Sequence, residues 1–178
     1  MKDALLVVDL LAGIFDLPEK LHDERGFLRK VARMVARARE RGVPVVFIQH
    51  VGPPGSPFAA GAPGQRIHET VAPRPGEPVV TKSSPDPFGD TELHARLQDL
   101  GSEHLFVCGF ATEGCIDCAV RAAHGRGYRV TLVRDAHTTT RNEVLTAPQI
   151  VAHHNLLLRR FARLLDTDAV DFGEAGSR

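Results

Sequence analysis

The chain has 178 residues, 43% of them hydrophobic, which is enough for a sizeable core and too many for a disordered chain. Lysine plus arginine and aspartate plus glutamate each number 22, so the formal net charge is zero and the positive surplus that nucleic-acid binding requires is missing. The apolar runs are too short to span a bilayer, and three cysteines do not make a disulfide framework.

The first ten residues, MKDALLVVDL, break their apolar stretch at Asp9 and offer no small-residue cleavage site. We therefore expect a soluble, reduced, cytoplasmic protein without a signal peptide, built as one domain over residues 1–178. Residues 4–9, ALLVVD, form the Val/Leu run expected of a strand buried on both faces. In FLRKVARMVARARERG, Leu28, Val31, Val35 and Ala38 are spaced for one helix face, and Gly42 is placed to stop the helix. Its lysines and arginines read as a solvated opposite face. Strands are expected at 43–49 (VPVVFIQ) and 78–82 (PVVTK), then a helix at 91–100 and a strand at 104–109 (HLFVCG). A helix from about Gly114 to His124, a strand at 128–133 (YRVTLV) and a helix from about Ala147 to Arg160 follow. FARLLDTDAV supplies a last strand, and GEAGSR reads as a frayed tail.

This alternation implies an α/β fold, a three-layer α-β-α sandwich around a mostly parallel, six-stranded Rossmann-like sheet. Residues 52–77 are dense in Pro and Gly without a sustained period. A loop of that length between two core strands is expected to fold over a site or onto a partner subunit.

Ligands of such sheets bind beyond the carboxyl ends of the strands, which directs attention to polar residues there. Asp9 closes the first strand and Lys82 the third; Cys115 falls in the first turn of a helix. Alone, Asp9 also suits a cap or an ion pair, and Lys82 a lysine snorkelling from a strand end. Free amides and the helix dipole at Cys115 favour a thiolate, and a lysine nearby would favour it further. Cys115 and Cys118 also form a Cys-x-x-Cys pair, so a thiol–disulfide redox protein stays open. Zinc would need two further ligands, and no second pair exists; Cys108 reads as core.

Taken together, VVDLLAGIF (7–15), VVFIQH (45–50), VVTKSSPDPFGDTEL (79–93) and VCGFATEGCIDCAVRAAHGRGYRVTLVRDAHTT (107–139) resemble the isochorismatase-like cysteine hydrolases. The resemblance implies Cys115 as nucleophile, Asp9 as general base and acid, and Lys82 as the third catalytic residue. It also implies a cis peptide at Phe110–Ala111 and an oxyanion hole from the Ala111 and Cys115 amides. The implied reaction is C–N cleavage of a small amide or carbamoyl compound through a thioester. Vinyl-ether hydrolysis of the isochorismatase type is the alternative within the superfamily, and a non-catalytic binding protein the alternative outside it.

Substrate contacts are expected from Gln49, His50, Phe88 and Phe110, with core packing the competing role for Phe88. Two departures from the family pattern stand out. Leu11 replaces a frequent Gln, and IQHVG lacks the Asp of the nicotinamidase metal site. With only His50 and His68 left there, no metal and no cofactor are expected. The expected partners are a small-molecule substrate and further copies of the chain in a dimer or tetramer, with neither nucleic acid nor membrane. His137, His153, His154 and Asn155 are assigned to surface or subunit contacts, and Asp135 to a turn cap or the edge of the pocket.

Overall fold

In the computed structural model, residues 2–173 are described; most of the GEAGSR tail lies outside them. Six parallel strands form one sheet: β1 (Asp3–Val8), β2 (Val45–His50), β3 (Val79–Lys82), β4 (His104–Phe110), β5 (Arg129–Thr138) and β6 (Arg163–Leu165). Their order is β3-β2-β1-β4-β5-β6. The helices are α1 (Glu24–Glu40), α2 (Leu93–Asp99), α3 (Asp117–Gly125) and α4 (Ala147–Leu158). None of the helices among the described residues is long and apolar enough to cross a membrane.

The layers follow from strand alternation. Leu5 and Val7 of β1, Phe47 of β2, and Phe106 and Cys108 of β4 pack against Phe27, Val31, Met34, Val35 and Ala38 of α1. Their neighbours Leu6, Val8, Val46, Leu105 and Val107 face the other way, onto Leu93 and Leu97 of α2, Ala119 and Val120 of α3, and Leu158 of α4. All six residues of β1 are buried, as a central strand covered on both faces demands. Gly42 ends α1 with a left-handed φ of 65°. The α1 arginines are less solvated than expected. Arg39 holds Glu77 through two bonds, at 2.8 and 2.7 Å, and Arg37 donates to the carbonyls of Thr167 and Val170.

The chain steps from β1 outward to β3, then crosses back to place β4 on the other side of β1. The connections leaving β1 and β4 therefore diverge, and a crevice opens at their carboxyl ends. Here the packing is tight. Gly109 has φ 128°, and a Cβ on it would lie 2.0 Å from the Val8 carbonyl oxygen. Gly109→Ala is expected to destabilise the fold by at least about 2 kcal/mol, combining backbone strain with overpacking. Urea unfolding checks this; an unchanged midpoint would mean that β1 and β4 separate freely.

Two elements differ from expectation. The helix expected from Gly114 begins with a π turn, Thr112–Ile116, and α3 proper starts at Asp117. β5 continues five residues beyond Val133, past a register shift between Val107 and Gly109 of β4, and so pairs Gly109 with His137 and Phe110 with Thr138. The expected strand stops at Val133; in the structure Arg134 and Asp135 are paired with Asp166 and Thr167 across from them.

Candidate active site

Three elements deliver the polar residues to the crevice. Asp9 follows β1 directly in a left-handed conformation, φ 49°, which aspartate tolerates better than most residues. Lys82 ends β3, where alternating burial turns Val80 and Lys82 inward. Cys115 sits in the π turn, whose geometry is set by the Ala111 carbonyl accepting from the Gly114 and Ile116 amides, both at 3.1 Å. Such turns recur at functional sites because they aim side chains that a regular helix would not. The Phe110–Ala111 peptide preceding it is cis.

The Lys82 ammonium joins these residues. Its Nζ donates to Asp9 Oδ2 at 2.7 Å, to the Ser84 carbonyl at 3.1 Å and to Cys115 Sγ at 3.2 Å. The Lys82 side chain is 0% exposed and that of Asp9 5%. Burial works against the Lys82 charge, but Asp9 and the neighbouring sulfur outweigh it and hold the ammonium above its ordinary value. For Cys115, burial and then the Asp9 carboxylate push the thiol up to about 12 against the opposing pull of Lys82. The resting sulfur is thus a protonated thiol, and the thiolate expected from a helix start alone is overridden.

Asp9, His50, Phe110, Ala111, Gly114 and Cys115 line a cavity of about 160 Å³ together with Leu11, Ile14, Phe58 and Pro85. Phe58 comes from the long loop, which is pinned over the site by main-chain bonds from Ala12 to Arg66 and from His68 to Leu10. Asp9 Oδ1 and His50 Nδ1 are buried without a hydrogen-bond partner among the described residues. Burial, then Lys82, lower the His50 pKa against the pull of Asp9, so its imidazole is neutral.

Of the expected substrate contacts, His50 and Phe110 reach the cavity and two do not. Gln49 Nε2 donates to the Gln65 carbonyl at 3.0 Å and so braces the long loop. Phe88 is buried in the core, 6.0 Å from the Tyr128 ring and beneath the Arg126 guanidinium. His68 Nδ1 accepts from the Thr70 amide at 3.2 Å and caps a short turn. Among the described residues, no group of three or more His, Cys, Asp or Glu side chains could hold a metal ion.

The isochorismatase domain family matches residues 3–168. The chain belongs to the isochorismatase family. Within it, the chain is 42% identical over 136 residues to streptothricin hydrolase of Streptomyces noursei, covering 76% of this chain and 54% of that one. The chain thus spans about half the length of that relative. It is 27% identical over 169 residues to ureidoacrylate amidohydrolase of Variovorax paradoxus, covering 75% of this chain and 67% of the relative. The crystal structure of an isochorismatase from Pseudomonas putida superposes with a TM-score of 0.90 at 31% identity, over 95% of this chain and 90% of that one.

Beneath the π turn of this family member lies a buried relay that sequence reading placed on the surface. His137, 3% exposed, accepts from Thr112 Oγ1 at Nδ1 (2.9 Å) and donates from Nε2 to Asn155 Oδ1 (3.1 Å). The orientation follows from Asn155, whose amide nitrogen donates to the Arg134 carbonyl, leaving its oxygen to accept. Burial holds the His137 pKa down at about 4, so the imidazole is neutral and its tautomer fixed. Thr139 Oγ1 donates to Glu113 at 2.9 Å and ties down the next residue of the turn. The relay was hidden because its members come from β5 and α4, and only the extended β5 brings them under Thr112. Asp135 caps a turn, accepting from the amide and the hydroxyl of Thr167.

Proposed function

We propose that the protein is a cysteine hydrolase that cleaves the C–N bond of a small amide or carbamoyl compound through a thioester on Cys115. The observation that carries this reading is one ammonium, Lys82, touching both a buried carboxylate and a thiol at the wall of a cavity. The relatives described above as streptothricin hydrolase and ureidoacrylate amidohydrolase support it.

In this mechanism Asp9 takes the thiol proton as the sulfur adds to the carbonyl carbon. The carbonyl electron pair moves onto oxygen, and the Ala111 and Cys115 amides receive it; such donors are each worth roughly 2.7–4 kcal/mol. The C–N bond then breaks with its electrons on nitrogen, and Asp9 returns the proton to the departing amine. Water next gives a proton to Asp9 as its oxygen adds to the thioester. The C–S bond breaks, and the sulfur recovers the proton. Lys82 stays charged throughout and fixes the Asp9 carboxylate against the sulfur.

A redox role for the Cys-x-x-Cys pair fits less well. Burial, then the Asp117 and Asp86 carboxylates, raise the Cys118 pKa, the opposite of what thiol exchange needs. The same reading takes the chain as one domain on a continuous sheet, cytoplasmic in keeping with its three free thiols. It is a homo-oligomer, in keeping with the exposed Leu156 and Leu157 of α4.

A panel of small amides and carbamoyl compounds, assayed for ammonia, tests the proposal. At least one is expected to turn over, with an acyl adduct on the Cys115 peptide after rapid acid quenching. Hydrolysis of a vinyl ether with every amide inert would overturn it.

A further inference from the structure

The cavity beside Cys115 carries information about the substrate beyond the bond that is broken. Its walls are mostly apolar, from Leu11, Ile14, Phe58, Pro85 and Phe110, and its polar side chains are those of Asp9, His50 and Cys115. Among the described residues no arginine or lysine lines it. Lys82, the nearest cation, is fully buried and already engaged by Asp9, Cys115 and the Ser84 carbonyl. The one imidazole present, His50, is neutral and supplies no counter-charge. A carboxylate on the acyl portion would lose its water there without gaining a partner, and would lie in the field of Asp9.

We infer that this cavity is an acyl-binding subsite for an uncharged, apolar acyl group no larger than about a benzoyl ring. The size follows from its volume of about 160 Å³, since a cavity of roughly 150 Å³ with similar Leu, Ile and Phe walls holds benzene. Leu11 decides the character of the subsite. It is 1% exposed, and its pairing with Ile67 sets it in the wall under the long loop. His50, whose Nδ1 is buried without a hydrogen-bond partner among the described residues, is one of the few polar residues along the cavity.

This inference rests on the amide-hydrolase reading for its chemistry but not for its binding test. Cys115→Ala, which cannot react, is titrated calorimetrically with propanamide and with butanamide, each paired with the counterpart in which a carboxylate replaces the terminal methyl group. The neutral member of each pair is expected to bind at least about 100-fold more tightly. Leu11→Arg in the same background is expected to reverse the preference. Equal affinity, tighter binding of the carboxylates, or binding of neither pair would overturn the subsite. Preferential binding of the neutral amides by a wild-type protein that hydrolyses none of them would keep the subsite and remove the amidase reading alone.

Discussion

Cys115→Ala is expected to lower kcat/KM on an amide substrate by about 10⁴-fold or more while the fold is retained. The loss is large because no other group at the cavity can replace the sulfur: His50 is a neutral imidazole, and Lys82 is a fully engaged ammonium. Cys115→Ser is expected to be nearly as poor, since a hydroxyl is a still weaker acid than a thiol already pushed up to about 12. Cys118→Ala is the contrasting variant. It sits one helical turn on, beside Asp117, and is expected to keep activity within about threefold. A redox protein would lose function at both positions. The pH profile gives a second readout. With the thiol protonated at rest, its proton leaves only during attack, so kcat/KM is expected to show no rise between about pH 7 and 9 of the kind an ordinary thiol would produce. Activity tracking a titration near the ordinary cysteine value would show the sulfur acting as a free thiolate instead.

How far the sequence reached can be judged from single residues. The continuous run of β1, the spacing in α1 and the stop at Gly42 are local signals, and the structure follows them closely. Asp9, Lys82 and Cys115 were legible because a parallel sheet gathers strand ends on one side. Identifying those ends was enough to bring the three residues together. What escaped depends on pairing across the chain. His137 and Asn155 look like surface residues in sequence, and only the register shift beside β4 places them beneath Thr112. Phe88 and Gln49 flank the right strands, yet each side chain is claimed by a partner that no local pattern reveals, the Tyr128 side of the core and the Gln65 carbonyl. The balance of influences on the Cys115 thiol likewise depends on contacts across the chain. The helix start favours the thiolate, but burial and the facing carboxylate outweigh it.

The Asp9–Lys82 pair separates stability from catalysis more sharply than any other contact in the site. Lys82→Met leaves the Asp9 carboxylate 5% exposed and without its counter-ion, and a broken buried pair costs about 3–5 kcal/mol. Domains of this kind hold only about 5–15 kcal/mol in all, so a marked fall in Tm is expected. Asp9→Asn, chosen because asparagine also accepts the left-handed backbone there, strands the Lys82 ammonium instead and is expected to cost a similar amount. In the double variant no unpaired charge remains. Its destabilisation is expected to fall short of the sum of the single losses by about 1–3 kcal/mol, measured by urea unfolding. Activity is expected to follow a different course. All three variants lose the base that takes the thiol proton or the cation that positions it, so the double variant regains stability while staying inactive. A double variant whose losses are simply additive would show that the two charges do not interact across their 2.7 Å contact. A double variant that turns over amides at the wild-type rate would place the proton-transfer group elsewhere.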